Sequence, residues 1–489
     1  MNRTSLFVLF LSAITAASPR APAATQEQID QAIEKGKSFL YHRQYSTGTW
    51  EEASAPQLGR GGAGALGGGR GRGGGSARGS TDGAQWGGLT GIATYALLAS
   101  GDRPVDPKLT RAIAFLKSAH LVGTYAMAMR CQVWAMLTQT PDIRRRAYAD
   151  AQALTDSMIT QGPGRGFYNY VTDMQAFPVQ QNWWDLSNGQ MAVLGVWACD
   201  RACYPNGAMV PQGYWQDIDQ AWRAAQLPSG AWPYTTQGMG EMAGPRLSMT
   251  AAGVATLYIT QNYLQREAGL ECQGYFDDTA IDNGMAYISE HFDDLDGNPT
   301  TDCYTLYGLE RIGAASGQRY FKNLDWFAQG ADYLIKHQNA DGSWGAIDTG
   351  GGFRGQGFSH NPLSIPDTCF AMLFLSRGRA PVVMSKLDYG DPSVWDQRPR
   401  DVANVTQWLS NQTELDLNWQ TATLDGPIED LQDAPILFIA GAQPLTFTAA
   451  QEAKLRLFIQ EGGLVVGNAD CARTTFSASF EDLGKRLFP

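Results

Sequence analysis

The sequence predicts a mainly α protein: a six-hairpin α/α toroid followed by a small α/β domain. Three observations carry this. Four segments place a Gly and then an aromatic after a Gln, the aromatic six positions on: QYSTGTW (Gln44 to Trp50), QGPGRGF (Gln161 to Phe167), QLPSGAW (Gln226 to Trp232) and QNADGSW (Gln338 to Trp344). Helical patterns of two kinds alternate around these motifs. Past about residue 384 the texture changes to short apolar runs of strand type.

A repeated motif implies a repeated structural unit. The third motif follows the second by 65 residues, and the other gaps, 117 and 112, are each about two units long. Two units have therefore lost the motif. They fall at His120 (HLVGTYAM) and His291 (HFDDLDGNPT), which makes six units.

The helices preceding the motifs are amphipathic, as in IDQAIEKGKSFL from Ile29, LTRAIAFLKSAH from Leu109 and LDWFAQGADYLIKHQ from Leu324. Those that follow are apolar nearly all round: they start near Leu89, Thr124, Leu186, Leu247, Cys303 and Asp367. A helix without a polar face must be surrounded, whereas an amphipathic one faces water on one side. Inner helices of the second kind inside outer helices of the first describe a closed two-layer ring.

This spacing and alternation resemble the terpenoid cyclase and protein prenyltransferase superfamily over roughly residues 25 to 380. The resemblance implies the toroid, with Gln and Trp motifs between outer and inner helices. It implies much less about chemistry, because one fold hosts unrelated functions. The motif residues Gln44, Trp50, Gln161, Phe167, Gln226, Trp232, Gln338 and Trp344 read as structural: a Gly turn, an aromatic over the junction, and an amide for helix-end backbone groups.

Chemistry, if present, belongs where the inner helices begin, since their N-termini converge at one mouth. The catalytic candidates there are Asp185, Arg246, Asp302 and Asp367. Trp183, Trp184, Ser248 and Tyr304 are the candidates for lining a ligand cavity. Helix N-termini favour Asp, Ser and Thr as caps, and capping alone accounts for most of these positions.

The resemblance supplies chemistries to compare. Alkene-protonating cyclases use an Asp-x-Asp-Asp motif, and this chain has none; YFDDTA places Tyr275 where the first Asp belongs, ahead of an outer helix. Prenyltransferases hold zinc with an Asp, a Cys two residues on and a later His. Here Cys303 matches the Cys, Asp302 stands one position from the acid and Asp367 replaces the His, with His360 as a further donor. One ligand in place leads us to expect no zinc and no other cofactor. Toroids that cleave polysaccharides use carboxylates or basic residues across a cleft, for which Asp277, Asp278, Asp293, Asp294, Asp296 and Glu310 are available, with Trp183 or Trp184 to stack on sugars. The DDLDGN stretch also reads as a solvated loop or a calcium site, though it lacks the remaining EF-hand ligands.

The chain has 489 residues, enough for a toroid and a second domain, and a net charge of −11 that opposes nucleic-acid binding. The stretch from Gly59 to Ser80 holds four Arg, no acid and no aromatic, and reads as a disordered insertion. Residues 1–23 read as a secretory signal: Arg3, the apolar run LFVLFLSAI, then Ala21-Pro22-Ala23. A retained membrane anchor is the alternative. No later segment offers 18 consecutive apolar residues, so the mature chain is expected to be exported, periplasmic or secreted, without a transmembrane segment. Of seven cysteines, Cys199 and Cys203 fall one turn apart, where export permits a disulfide. Cys131, Cys303 and Cys369 fit as small apolar residues of inner helices.

With the toroid at residues 24–383, residues 384–489 form the second domain. PILFIAG from Pro435 and LVVGNAD from Leu464 read as strands around a helix capped at Thr448 and Gln451 and stopped at Gly462-Gly463, a βαβ unit. A helix from Val402 to Leu409 covers one face. The stretch from Leu387 resembles a bacterial domain of unknown function with a distant likeness to glutamine-amidotransferase-type α/β folds. Cys471 follows a strand where such folds place a nucleophile, but DCARTT lacks the small-residue elbow. With two strands visible the domain reads as truncated, completed by something absent or belonging to a fragment, and poorly folded if isolated from Leu387 onward. The functional expectation is an exported binding or scaffold protein with a non-catalytic toroid and a protein, lipid or glycan partner. The alternative is an enzyme using the toroid cavity on a polysaccharide or an isoprenoid-like lipid.

Overall fold

The computed structural model describes residues 24–51, 85–173, 183–203, 210–238, 240–265, 278–292, 295, 302–345, 364–413 and 415–489. The segment read as a signal, the Gly/Arg-rich insertion, His360 and the acids Asp277, Asp293, Asp294 and Asp296 lie outside them. Odd-numbered helices are outer: α1 (Gln26–Arg43), α3 (Pro107–Ser118), α5 (Pro141–Ser157), α7 (Gln212–Ala225), α9 (Thr279–His291) and α11 (Trp326–Lys336). Even-numbered helices are inner: α2 (Gly88–Ala99), α4 (Thr124–Met136), α6 (Leu186–Ala202), α8 (Leu247–Leu264), α10 (Cys303–Ser316) and α12 (Ser364–Gly378).

The predicted toroid is present. Each inner helix packs on the next, and α12 returns to α2, so the ring closes. Helix α2 is buried from Gly88 through Leu98, whereas α3 buries only the stripe Leu109, Ala112, Ile113 and Leu116.

Three of the four motifs make the same bonds. The Gln44, Gln226 and Gln338 amides each donate to the motif Gly carbonyl, at Gly48, Gly230 and Gly342, and to a carbonyl of the next outer helix, at Lys108, Ala280 and Ala32. The last of these bonds ties the end of the ring to its start. The indole N–H of Trp50, Trp232 and Trp344 donates to the carbonyl ten residues earlier, at Leu40, Trp222 and Leu334. The backbone N–H of each Trp donates to a Thr in the first turn of the following inner helix, Thr90, Thr250 or Thr368. Gly48 and Gly342 have φ near +90° and abut the neighbouring outer helix so closely that a Cβ would meet backbone at 2.9 and 2.4 Å. Only glycine accepts both conditions.

The second motif is a correction. Gln161 is exposed and makes no side-chain hydrogen bond among the described residues. The turn is closed by Ile159 N–H to the Phe167 carbonyl and Gly166 N–H to the Ile159 carbonyl, which match Tyr45 to Thr49 and Gly48 to Tyr45 in the first motif. Met158 therefore stands at the Gln position and Tyr168, fully buried, at the Trp position. An inserted Gly162–Gly164 turn placed a Gln and an aromatic at the expected spacing in the wrong register.

The α/β domain holds a four-stranded parallel sheet: β1 (Val382–Asp388), β2 (Asn418–Thr423), β3 (Ile436–Gly441) and β4 (Leu464–Ala469), in the order β2-β1-β3-β4. Its helices are α13 (Pro392–Trp395), α14 (Asp401–Thr413), α15 (Ile428–Gln432), α16 (Ala449–Gln460) and α17 (Thr474–Leu487). The expectation of two strands missed β1 and β2. Both carry buried polar side chains, Ser385 and Lys386 in β1 and Gln420 in β2, which break the apolar run that a pattern search needs. A start at 384 or at Leu387 falls inside β1, so the isolated segment from Leu387 would lack much of its central strand. The Thr448–Gln451 capping box forms as expected.

This domain packs across the ring where the inner helices end. Thr421 N–H donates to the Gly317 carbonyl at 2.7 Å, and Trp419 lies against Gly317. Arg400 bonds Asn262 and the Ala315 carbonyl, while Asn418 donates to the Arg377 carbonyl.

Candidate functional site

At the opposite mouth, Asp185 caps α6 and is fully buried. Its Oδ1 accepts from Asn188 N–H at 2.8 Å and Ser187 Oγ at 2.6 Å; its Oδ2 accepts from Asn188 Nδ2 at 2.8 Å and Trp183 Nε1 at 3.1 Å. Burial pushes its carboxyl up and these donors pull it back. With four donors in place, Asp185 organises its surroundings and has little capacity left to move a proton.

A tyrosine cluster surrounds it. The Tyr234 hydroxyl lies 3.3 Å from Ser187 Oγ, whose one proton goes to Asp185, and Tyr234 shares a hydrogen bond with Tyr170, on which Tyr125 stacks. Deeper in the ring Gln190 donates to the Tyr304 hydroxyl, and Arg311 donates to Gln190 Oε1 at 2.9 Å. Arg246 lies over the Tyr234 ring, its Nε buried without a partner among the described residues. Trp184 sits apart, bonded to Thr236 and packed on Gly164. Ser248 is half-buried in the first turn of α8.

The other side of this mouth carries acids. Asp302 caps α10 by accepting from Thr305 N–H at 2.7 Å, and burial pushes it up. Asp367 is pushed up to about 7 by burial and then by the neighbouring Asp302 charge, and no hydrogen bond reaches it among the described residues. Gly345, at φ +96°, lies so close that a Cβ would meet its Oδ2. Sequence reasoning missed Glu51 beside Trp50. Its buried carboxylate accepts from Thr90 N–H at 2.9 Å and is pushed up to about 8 by burial. The mouth thus sets carboxyls raised by burial, from the α2, α10 and α12 side, against tyrosines from the α4, α6 and α8 side.

Of the zinc donors suggested by resemblance, Asp302, Cys303 and Asp367 lie among the described residues. Cys303 is buried in the wall, Asp302 is turned to a backbone amide, and among the described residues no three His, Cys, Asp or Glu side chains are arranged to hold an ion. Cys199 and Cys203 are both free thiols. Glu310 is buried at the other end of the ring, and Asp278 is a helix cap bound by Arg223.

Because Asp367 is raised in the folded state, the stability it lends by staying neutral is full below the ordinary carboxylate range and lost as pH rises through about 7. Asp367→Asn should therefore gain in melting temperature over the parent as pH is raised from 5 to 8. Equal shifts at both pH values would place the carboxyl in water.

A second constellation lies around the carboxyl ends of β1 and β4. Lys386, 1 % exposed, donates to Asp396 and Asp401, each at 2.7 Å, and to the Arg398 carbonyl at 2.9 Å. Arg398 reaches buried Asp470 at 3.2 Å. The strand order reverses direction between β1 and β3, and open α/β sheets place ligands in the crevice at such a point. Cys471, next in chain, has φ 53° and is disulfide-bonded.

Residues 383–489 match a family model described as a domain of unknown function, DUF4159. No curated protein matches the chain. Among solved structures, the type II terpene cyclase MstE from Scytonema is 13% identical, with 72% of this chain and 98% of that chain covered and a TM-score of 0.43. A possible member of the GH105 family from Salmonella enterica serovar Paratyphi A is also 13% identical, with 76% and 98% covered and a TM-score of 0.43. No helix of the described residues is long and apolar enough to cross a membrane. The closed ring stands on this chain's own helix contacts, and its chemistry on the residues above.

Proposed function

We propose that the chain is an exported binding protein whose toroid takes a hydroxylated ligand of the glycan class. The observation that carries this is a buried polar cluster inside the ring: Tyr170 and Tyr234 share a hydrogen bond, and Gln190 donates to the Tyr304 hydroxyl. A sugar offers hydroxyls that can join these hydrogen bonds and faces for aromatic rings, whereas a hydrocarbon offers no hydroxyls. The capped state of Asp185 and Asp302 supports binding over catalysis. Export is supported by the apolar N-terminal run and by the Cys471 disulfide, a bond at home in oxidising compartments. For the α/β domain, the parallel order and the left-handed Cys471 after β4 support a glutamine-amidotransferase-like fold, while the disulfide opposes a nucleophile there.

Native mass spectrometry of the purified chain with an oligosaccharide library tests the reading. Retention of an oligosaccharide, weakened about tenfold or more in Gln190→Leu, is expected. Recovery of an apolar lipid instead would overturn it. The second reading, an enzyme, is favoured by Asp367 alone, a carboxyl near 7 suited to donate a proton. Turnover of the bound glycan abolished in Asp367→Asn, with binding kept, would establish that reading.

A further inference from the structure

Two arginines touch the tyrosine cluster, and neither is ion-paired among the described residues. Helix α8 stands between α6 and α10 in the ring, so a bond from α10 to α6 crosses the interior. Arg311 of α10 makes one, donating to Gln190 Oε1 at 2.9 Å, while Gln190 donates to the Tyr304 hydroxyl. Its guanidinium lies 5.8 Å from the centre of the Tyr307 ring, and its Nη2 is buried without a partner among the described residues. Arg246 stands at the N-cap of α8, where its side chain makes no capping bond. It lies 6.0 Å from the centre of the Tyr234 ring, with its buried Nε likewise unpaired.

The two contacts are close in depth. Ser187, whose Oγ lies 3.3 Å from the Tyr234 hydroxyl, and Gln190 share one face of α6 a single turn apart, roughly 5 Å along the axis. Arg246 therefore borders the polar cluster at the mouth and Arg311 borders it one turn deeper.

Guanidiniums commonly stack on aromatic rings, which is the ordinary reason to find arginines here. Stacking occupies the ring face and leaves the in-plane N–H groups unspent. Arg246 is also placed against the helix dipole, whose N-terminal end disfavours a cation. The acids beside them are engaged elsewhere. Asp185 accepts from four donors, and Glu310, next to Arg311 in the chain, lies 3.8 Å from Arg377.

We infer that the toroid selects an acidic oligosaccharide, with Arg246 at the mouth and Arg311 below it pairing with carboxylates of uronic acid units. The inference rests on the glycan reading and names its ligand class. A planar guanidinium pairs with a carboxylate through two parallel N–H bonds while an aromatic ring holds its face. Across the mouth Glu51 and Asp367, pushed up to about 8 and about 7 by burial, are able to stay neutral below those values and so spare an incoming anion their repulsion.

Native mass spectrometry of the full chain tests this with uronate-bearing oligosaccharides, the same chains with their carboxyls reduced to alcohols, and neutral chains bearing sulfate esters. The uronate chains should be retained about tenfold or more over their reduced forms. Arg246→Gln, a change at a half-buried side chain without a hydrogen bond among the described residues, should remove most of that preference and leave binding of the reduced chains in place. Arg246→Lys, which keeps the charge and loses the fork, should restore part of it. Arg311→Gln should act in the same direction, with its melting curve checked because it also frees Gln190. Equal retention of uronate and reduced chains, or a preference indifferent to Arg246→Gln, would overturn the inference and leave the glycan reading standing. Preference for sulfate esters over uronates would overturn the carboxylate. Retention of no oligosaccharide at all would overturn both.

Discussion

Replacing Lys386 by Met should remove about 3–5 kcal/mol of stability from the α/β domain, the range for breaking a buried ion pair from one side. All three protons of its ammonium are used, on Asp396, Asp401 and the Arg398 carbonyl, and the ammonium lies over the Trp395 ring. Methionine fills the space but leaves two carboxylates facing each other, with Asp401 Oδ2 already unpaired. The loss should depend on pH. Asp396 is pushed up to about 6 by burial even with Lys386 present, so the stability from its neutral form is lost as pH rises from the ordinary carboxylate range through about 6. Without Lys386 that pKa rises further, and the deficit should be larger at pH 8 than at pH 5. Urea titration of the full chain, with hydrogen exchange of the β1 and β3 amides to localise the effect, measures both. A deficit independent of pH would mean that packing, not charge, is what Lys386 supplies.

The same residue shows why half of this fold was legible in the sequence and half was not. The toroid announces itself because its inner helices are apolar all round and its junctions repeat one set of bonds at Gln44, Gln226 and Gln338. Strands β1 and β2 were hidden because a parallel sheet that carries a buried Lys and a buried Gln no longer reads as an apolar run. Gln161 and Phe167 fit the spacing yet miss the register, because spacing along the chain cannot see an inserted turn. At the mouth, Asp185, Asp302 and Asp367 were found by position. What separates a saturated cap from an unpaired acid near 7 is the set of donors around each, and these come from distant segments.

Trp344→Ala should cost the toroid about 3–5 kcal/mol, the range for deleting a large buried aromatic. Its ring is 1 % exposed, sits against Gly36 of α1 and donates to the Leu334 carbonyl of α11, while its backbone N–H reaches Thr368 of α12. Three helices therefore meet on this one residue, at the junction where the last hairpin rejoins the first. Trp344→Phe keeps most of the buried area and strands the Leu334 carbonyl, so about 1–3 kcal/mol is expected. Gln161→Ala, at an exposed side chain that makes no hydrogen bond among the described residues, should leave the melting curve within error. Gln338→Ala, which removes the donor to the Gly342 carbonyl of its own turn and to the Ala32 carbonyl across the ring closure, should lower it clearly. If Gln161→Ala and Gln338→Ala proved equal, the amide bonds would be bystanders and ring closure would rest on the aromatic and the glycine alone.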